Sequence, residues 1–147
     1  MMIYIASDHR GFILKQSVNA LLARLGYEYE DLGPFDDKSV DYPDYAKSVG
    51  EKVVASQDNR GILICGSGIG VCIAVNKIKG IRAGTMASLG QTKASVADED
   101  TNVLCLSADY VKEEINLEIV KTFLETRFSG EERHVRRVGK ITELEKL

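Results

Sequence analysis

The sequence predicts an α/β protein, built as a Rossmann-like three-layer α/β/α sandwich with about five parallel strands. Short β-like runs and segments of helical periodicity alternate about five times, as in strands joined by helical crossovers. Residues 61–65, Gly-Ile-Leu-Ile-Cys, form an apolar run typical of a central strand covered on both faces. The chain has 147 residues and shows no linker or internal repeat, so we assign residues 1–147 to one domain.

The first part of the chain predicts two strands and two helices. Residues 2–6 are a short apolar run and predict the first strand, and residues 27–32 predict the second. Between them, apolar side chains at steps of four, three and four indicate a helix that Gly26 ends, with one face formed by Leu14, Val18, Leu21 and Leu25. Pro43 suits the first turn of a second helix, whose inner face carries Ala46, Val49 and Val53.

The second part continues the alternation after the strand at residues 61–65. Following glycine-rich residues 66–70, the pattern predicts a helix through residue 77, a strand at 81–86, a helix at 88–97, a strand at 103–106, a helix at 110–128 and a last helix from about residue 132. The last two helices each have a predicted apolar side, formed by Ile115, Ile119 and Phe123 on the first and by Val135, Val138, Ile141 and Leu144 on the second.

Composition and charge exclude several classes of protein. The 19 Lys and Arg and the 22 Asp and Glu leave a net charge of −3, whereas non-specific nucleic-acid binders usually carry a basic excess. The three cysteines lack paired spacing, which favours a reducing compartment, and there are no close Cys or His pairs to predict a metal site. The sequence also lacks a membrane-spanning run and a signal-peptide pattern, so we expect a cytoplasmic protein.

The strongest motif follows the strand at residues 61–65 and reads Cys65-Gly66-Ser67-Gly68-Ile69-Gly70. Its alternating glycines expose backbone N–H groups beside a helix start, which predicts an anion cradle where ligands of parallel sheets bind. The spacing is not G-x-G-x-x-G, which disfavours a dinucleotide loop. A helix start favours the thiolate of Cys65 and hence a reactive role. A buried small hydrophobe is the other interpretation, and the loop alone leaves both open.

Two further groups of polar residues are candidates for binding a ligand. Asp8-His9-Arg10 closes the first predicted strand and suits a polar ligand, although a solvated loop with Asp8 as a helix cap fits equally well. On the last helix Arg133 and Arg137 are four residues apart and share a face that suits a phosphate. From the residues alone a solvated, ion-paired face is favoured there, with the acidic partners Glu131, Glu132 and Glu143.

Taken in order, the motifs resemble the ribose-5-phosphate isomerase B family, in the group that also holds the LacA/LacB sugar-phosphate isomerases. The resemblance runs over almost the whole chain and is carried by Ser7-Asp8-His9, Asp41-Tyr42-Pro43, the run from Gly61 to Gly70, Asn76-Lys77, Gly80-Ile81-Arg82-Ala83, Asp100-Thr101-Asn102-Val103-Leu104, Arg133-His134 and Arg137-Val138. Each motif is weak by itself, but the ordered set is specific to the family.

The resemblance implies an aldose–ketose isomerase that acts in the pentose phosphate pathway without a metal or cofactor. It would interconvert ribose 5-phosphate and ribulose 5-phosphate through a cis-enediolate, with Cys65 as the base. The implied enediolate donors are the Ser67 hydroxyl and the backbone of Gly66, Gly68 and Gly70. The remaining implied substrate contacts are Asp8 at the hydroxyls or ring oxygen, Tyr42 in the pocket wall, and His9, Arg133 and Arg137 at the phosphate, with His134 nearby. The family shares its site across a dimer, so the resemblance implies a homodimer or homotetramer with the site at the subunit interface.

Three positions depart from the family pattern. The histidine that opens the sugar ring would fall at residue 98, which is Asp98, and its asparagine neighbour is replaced by Glu99. An arginine directed at the phosphate would fall at residue 109, which is Asp109. A carboxylate facing a phosphate is repulsive unless a cation pairs with it, and Lys112 is a candidate for that cation. We expect Asp98 or Asp8 to support ring opening.

These departures leave two alternatives to a ribose 5-phosphate isomerase. The substrate would be another phosphosugar, either an acyclic tetrulose phosphate, which needs no ring opening, or a hexose 6-phosphate. Otherwise the chain would be a non-catalytic sugar-phosphate-binding subunit. Turnover of a panel of four-, five- and six-carbon sugar phosphates separates these possibilities.

Overall fold

Strands and helices alternate along the chain in the computed structural model, which describes all 147 residues. The strands are β1 (Ile3–Ser7), β2 (Tyr29–Asp31), β3 (Arg60–Cys65), β4 (Ala83–Thr85) and β5 (Val103–Ser107). The helices are α1 (Phe12–Arg24), α2 (Tyr42–Val54), α3 (Ile69–Val75), α4 (Leu89–Glu99), α5 (Glu113–Glu125) and α6 (Glu132–Leu144). The predicted alternation and the count of five strands are confirmed.

The five strands form one parallel sheet in the order β2-β1-β3-β5-β4. β3 is the central strand and is buried from Gly61 to Cys65, as its unbroken apolar run predicts. Its carboxyl end pairs with those of both neighbours, since Ser7 lies opposite Ile64 and Cys65 lies opposite Ser107. The segments that follow β1, β3 and β5 therefore meet at one edge of the sheet, which we call the carboxyl edge.

The two faces of the sheet bury separate apolar cores, which confirms the three-layer sandwich. On one face Ile62 and Ile64 of β3 join a core with side chains from α1, α4 and α5. On the other face Leu63 and Cys65 join a core with side chains from α2 and α3. Each fully buried aliphatic side chain contributes roughly 1.5–3 kcal/mol to stability, so both layers are held to the sheet by apolar burial.

The two outer strands are shorter than predicted. β2 and β4 each have three residues, whereas the apolar runs predicted strands over residues 27–32 and 81–86. Each of these strands pairs with a neighbour on one side only, so the ladder has no second partner to extend it. On α1 the predicted stripe also ends early, because Leu25 is the C-cap residue and is 39% exposed.

α5 begins later than predicted and turns a different face to the core. It starts at Glu113 rather than at residue 110, because the side-chain amide of Asn116 donates to the backbone oxygens of Ser107 and Val111 and closes a turn there. Ile119 and Phe123 are buried as predicted, but Ile115 is 42% exposed, and the prediction that it faces the core is wrong.

α6 is the element with the least apolar cover. It packs mainly against α4, and its predicted stripe lies at the surface, where Val135, Ile141 and Leu144 are each 40% exposed or more. The helix is therefore amphipathic with an apolar side that its own chain leaves uncovered. None of the six helices has the length and apolarity needed to cross a membrane.

Candidate active site

The glycine-rich loop between β3 and α3 holds the thiol of Cys65 at the carboxyl edge. Cys65 is 4% exposed, and its Sγ accepts a hydrogen bond from the backbone N–H of Gly68 at 3.2 Å. Gly68 has φ +75, and a Cβ there would lie 2.8 Å from Cγ2 of Thr85. Only glycine fits this left-handed, crowded position, so the loop can fold back and aim its amide at the thiol.

Cys65 forms part of the wall of an open cleft of about 270 Å³. The same wall holds six residues that the sequence predicted for the site: Asp8, Tyr42, Cys65, Gly66, Ser67 and Gly70. Three clefts are larger and contain no thiol: two, of about 500 and 430 Å³, lie near Asp100 at the opposite edge, and one of about 320 Å³ lies beside α2. We assign the site to the smaller cleft because a nucleophile, a carboxylate and loop amides converge there.

Asp8 and His9 extend from the end of β1 in different ways. Asp8 is 7% exposed, and its Oδ1 accepts from the N–H of Gly11 at 3.0 Å, so it bonds the N-cap residue of α1 instead of occupying the N-cap position. His9 accepts through Nδ1 from the N–H of Val40 at 3.3 Å, which leaves Nε2 as its free donor when the ring is neutral. Asp8 can therefore anchor the loop through one carboxylate oxygen and bind a ligand through the other, so the two predicted roles are compatible.

Asp109 pairs with Arg10, and the prediction that Lys112 compensates it is wrong. The Arg10 guanidinium forms an ion pair with the Asp109 carboxylate, and the two side chains are 59% and 30% exposed. A Cβ on Gly66 would lie 2.7 Å from Oδ2 of Asp109 and 2.8 Å from Nε of Arg10, so the pair crosses directly over the loop. The backbone N–H of Asp109 also donates to the Gly66 oxygen at 3.0 Å.

The other predicted site residues lie at the opposite, amino edge of the sheet. α4 returns from the carboxyl end of β4 to the amino end of β5 and carries Asp98 in its last turn. His134 of α6 lies against it, with 3.6 Å between Nε2 of His134 and Oδ1 of Asp98. The five residues of β5, at ~3.3 Å each, separate this edge from Cys65. One chain therefore does not bring Asp98, Arg133, His134 and Arg137 to the thiol.

The arginines of α6 differ in how they are paired. Arg133 contacts Glu131 at 2.5 Å and Arg136 contacts Glu132 at 2.6 Å, as the solvated-face interpretation predicts. Arg137 is exposed and makes no ion pair. His134 is 6% exposed, and its Nδ1 shares a hydrogen bond of 2.6 Å with the Ser129 hydroxyl. The amino edge thus presents an ordered histidine beside an arginine with free donors.

The other two cysteines lie on the α3 side of the sheet and contact each other. Cys105 is fully buried, and burial raises the pKa of its thiol well above the ordinary value. A hydrogen bond from Cys105, supported by Thr85 and Asn76, lowers the pKa of Cys72 to about 6 despite partial burial. The prediction that both are core residues holds fully for Cys105 alone, since Cys72 is partly buried and packs against the edge of the core.

Arg10 and Tyr110 also line the cleft wall, together with Asp109. The sequence named Arg10 as part of the polar group Asp8-His9-Arg10 but gave it no role of its own, and it did not select Tyr110 at all. The signal for Tyr110 was its place after β5, a strand that flanks β3. No group of three or more His, Cys, Asp or Glu side chains is arranged to hold a metal ion.

The parallel sheet, with a glycine loop and a thiol at its carboxyl edge, defines a Rossmann-like protein with a cleft for a small anionic ligand. The Ribose/Galactose Isomerase family model matches residues 3–141, and the chain belongs to this family.

Relatives and solved structures agree over nearly the full length. A Mycoplasma genitalium protein named "Probable ribose-5-phosphate isomerase B" is 43% identical, and the match covers 98% of this chain and 95% of the relative. Ribose-5-phosphate isomerase B from Clostridium thermocellum superposes with a TM-score of 0.96 at 43% identity, covering 99% of this chain and 98% of the other. The Mycoplasma genitalium enzyme with bound ribulose-5-phosphate gives a TM-score of 0.94 at 43% identity, covering 99% and 96%.

Proposed function

We propose that this protein interconverts ribose 5-phosphate and ribulose 5-phosphate. The observation that carries the proposal is the convergence of the Cys65 thiol, the Ser67 hydroxyl and the Asp8 carboxylate on one cleft. The related enzyme structure with bound ribulose-5-phosphate supports this substrate class. An aldose–ketose isomerisation needs a base near a carbon-bound proton and donors near the developing oxyanion, and the cleft offers both.

The reaction moves one proton between two carbons of the open-chain sugar. The Cys65 thiolate removes the proton from C2 of the aldose while the C1 carbonyl oxygen becomes an oxyanion, which gives a cis-enediol(ate). The resulting thiol returns the proton to C1, the proton of the C2 hydroxyl passes to the C1 oxyanion, and the C2 oxygen becomes the ketose carbonyl. Proton transfer by a positioned side chain of this kind contributes typically ~10²–10⁴-fold to the rate.

The loop residues stabilise the charge that develops on the two oxygens. The Ser67 hydroxyl oxygen accepts from the N–H of Ile69 at 3.1 Å, so its own O–H remains available to donate to the substrate. The first-turn amides of α3, including that of Gly70, lack intrahelical partners and join Gly66 in the cleft wall, while the Gly68 amide donates to Cys65. Preorganised donors of this type act without rearranging during the reaction.

Ring opening and phosphate binding complete the cycle. Asp8 has one oxygen committed to Gly11, and its second oxygen carries out the proton transfer that opens the furanose ring, with Asp98 of a second copy as the other candidate. Tyr42 lines the cleft beside the sugar. His9 of one chain and Arg133, His134 and Arg137 of a second chain hold the phosphate end.

The assembly that this requires is at least a homodimer. The groups needed at one substrate lie at opposite edges of a single chain, so a second copy must present its amino edge to the cleft. The exposed apolar side of α6, with Val135, Ile141 and Leu144, is the surface that such a copy would cover. Three free cysteines favour a reducing compartment, and we assign the protein to the cytoplasm.

The test is loss of proton transfer on removing the thiol. Cys65→Ala and Cys65→Ser should each lower kcat on ribose 5-phosphate by ~10³-fold or more, and should stop exchange of the C2 proton with deuterated water, followed by NMR. Cys72→Ser is the matched control, because it removes a thiol outside the cleft, and it should retain activity.

Exchange that survives in both Cys65 variants would show that another group is the base. A panel of four-, five- and six-carbon sugar phosphates tests the substrate. The proposal expects the highest kcat/KM on ribose 5-phosphate. A higher value on a four-carbon ketose phosphate would overturn that assignment, and binding without turnover of any member would favour the non-catalytic subunit.

A further inference from the structure

Arg10 is the one cationic side chain in the wall of the cleft that contains Cys65. The other charged residues of that wall are Asp8 and Asp109, both acidic. Arg10 extends from the loop after β1, and its side chain is 59% exposed. Its exposure cannot be explained by a structural role in the core.

Asp109 holds the guanidinium in place over the loop. The ion pair crosses Gly66, close to the position where a Cβ would sit, and the backbone of Asp109 is itself fixed by its bond to the Gly66 oxygen. A guanidinium has five N–H donors in a rigid fork, and pairing with one carboxylate oxygen leaves donors free for a second anion. The ion pair therefore orients Arg10 and leaves some of its N–H donors free.

The charges of the cleft wall indicate which ligand the Arg10–Asp109 pair favours. Without Arg10 the protein side chains of the wall would carry only the two carboxylates, which repel a phosphate dianion at short range. With Arg10 paired to Asp109, the free N–H groups of the guanidinium can donate to phosphate oxygens beside an already neutralised carboxylate. The cations of α6 cannot supply this within the same chain, because they lie at the other edge of the sheet.

We infer that Arg10 binds the phosphate group of the substrate directly, and that Asp109 is a positioning residue that orients its guanidinium across Gly66. This inference rests on the proposed function for the identity of the sugar, whereas the binding of a phosphate group by Arg10 does not depend on which sugar carries it. Arg10 thus makes the cleft selective for phosphorylated over unphosphorylated sugars. Asp109, which by itself would repel the substrate, becomes part of the same subsite.

Arg10→Ala and Arg10→Lys test the inference, with Arg24→Ala as the matched control at the far end of α1. Arg10→Ala should raise KM for ribose 5-phosphate about 10- to 100-fold, the usual effect of losing a charge-assisted hydrogen bond, with a smaller change in kcat. Arg10→Lys keeps the positive charge but lacks the planar guanidinium, so its KM should lie between those of the wild type and Arg10→Ala. Turnover of unphosphorylated ribose should not change.

A partly exposed ion pair contributes little to folding, so these variants should keep their circular dichroism spectra. Asp109→Asn tests the positioning role. It keeps Arg10 but weakens its anchor, and we expect Arg10→Ala to have a smaller effect on KM in that background than in the wild type. A KM for ribose 5-phosphate within twofold of wild type in Arg10→Ala would overturn the inference. Equal effects of Arg10→Ala in both backgrounds would overturn the role of Asp109.

A binding measurement separates this inference from the proposed function. Inorganic phosphate, titrated by calorimetry, should bind the wild type and bind Arg10→Ala at least about tenfold more weakly. If the wild type fails to isomerise ribose 5-phosphate but shows this difference, the proposed function fails and the phosphate contact stands. If the wild type is active and both proteins bind inorganic phosphate equally, the proposed function stands and the contact fails.

Discussion

Cys72 and Cys105 interact through their thiols, and their pKa values are shifted in opposite directions. Cys105 is enclosed by the core between the sheet and α3, whereas Cys72 of α3 is partly buried at the margin of that core. Burial holds the Cys105 thiol protonated, and a protonated neighbour can donate to a Cys72 thiolate. The pair therefore places one reactive sulfur near the surface, close to the glycine loop but outside its cleft.

Alkylation should reveal this difference as a pH dependence. The pKa of Cys72 is lowered to about 6, chiefly by the hydrogen bond from Cys105, so its thiolate predominates above that pH and is lost as the pH falls below it. Because the thiolate is the nucleophile, labelling of Cys72 by iodoacetamide should rise with a midpoint near pH 6. Peptide mass spectrometry after timed quenching gives the rate.

Cys105 provides the internal reference for that experiment. It is completely buried and should stay unlabelled in the folded protein at every pH at which Cys72 reacts, becoming labelled only in denaturant. A labelling midpoint for Cys72 at or above pH 8, the range of an ordinary thiol, would contradict the hydrogen-bonded arrangement.

At the scale of elements, a buried lysine connects α1 to the segment after β2. The Lys15 side chain is completely buried, and its Nζ donates to Oδ1 of Asp31 at 2.7 Å and to the Pro34 oxygen at 2.6 Å. The rings of Phe12 and Phe35 lie over the same ammonium group at 5.7 and 5.3 Å. The sequence pattern of α1 places no special importance on this lysine, since burial of a charge depends on partners that are distant along the chain.

Removing the ammonium should destabilise the protein strongly. Lys15→Ala leaves Asp31, whose side chain is 17% exposed, without its cation, and we expect the free energy of unfolding to fall by about 3 kcal/mol. Lys47→Ala is the matched control, because the Lys47–Glu51 pair is well exposed and should change stability by less than about 0.5 kcal/mol. Urea unfolding followed by circular dichroism measures both, and equal effects would show that Lys15 contributes no more than a surface pair.

The elements also show which parts of the fold and site can be predicted from sequence. The unbroken run of β3 and the glycine loop are local patterns, and both were predicted correctly together with the layers around them. The exposure of Ile115 was missed because it depends on how α5 sits against its neighbours. The pairing of Asp109 with Arg10 was missed for a similar reason, since about a hundred residues separate them and only the strand order joins them.

For the molecule as a whole, the division of polar groups between two sheet edges predicts complementation between inactive chains. Cys65→Ala and Arg137→Ala affect opposite edges, so in the proposed assembly each variant homodimer should lose activity in both of its sites. A mixed dimer regains one site with a normal thiol and a normal arginine. Random mixing of equal amounts should restore about a quarter of wild-type activity, measured after joint refolding.

The control for complementation is a mixture of two variants at the same edge. Cys65→Ala mixed with Arg10→Ala should recover no more activity than the Arg10→Ala chains supply, because both changes fall in the cleft of one chain. If Cys65→Ala and Arg137→Ala also fail to complement each other while sedimentation shows that mixed dimers form, the proposal of a site shared between two chains is wrong.

The placement of His134 and the free Arg137 so far from Cys65 has a consequence for how the protein behaves on dilution. In the proposed homodimer, an isolated chain supplies only half of the binding surface and lacks the second chain's phosphate-binding groups. Specific activity should therefore decline as protein concentration drops below the dissociation constant of the assembly, and added substrate should draw chains back together. The abundance of the polypeptide would then set not only how much catalyst is present but what fraction of it works.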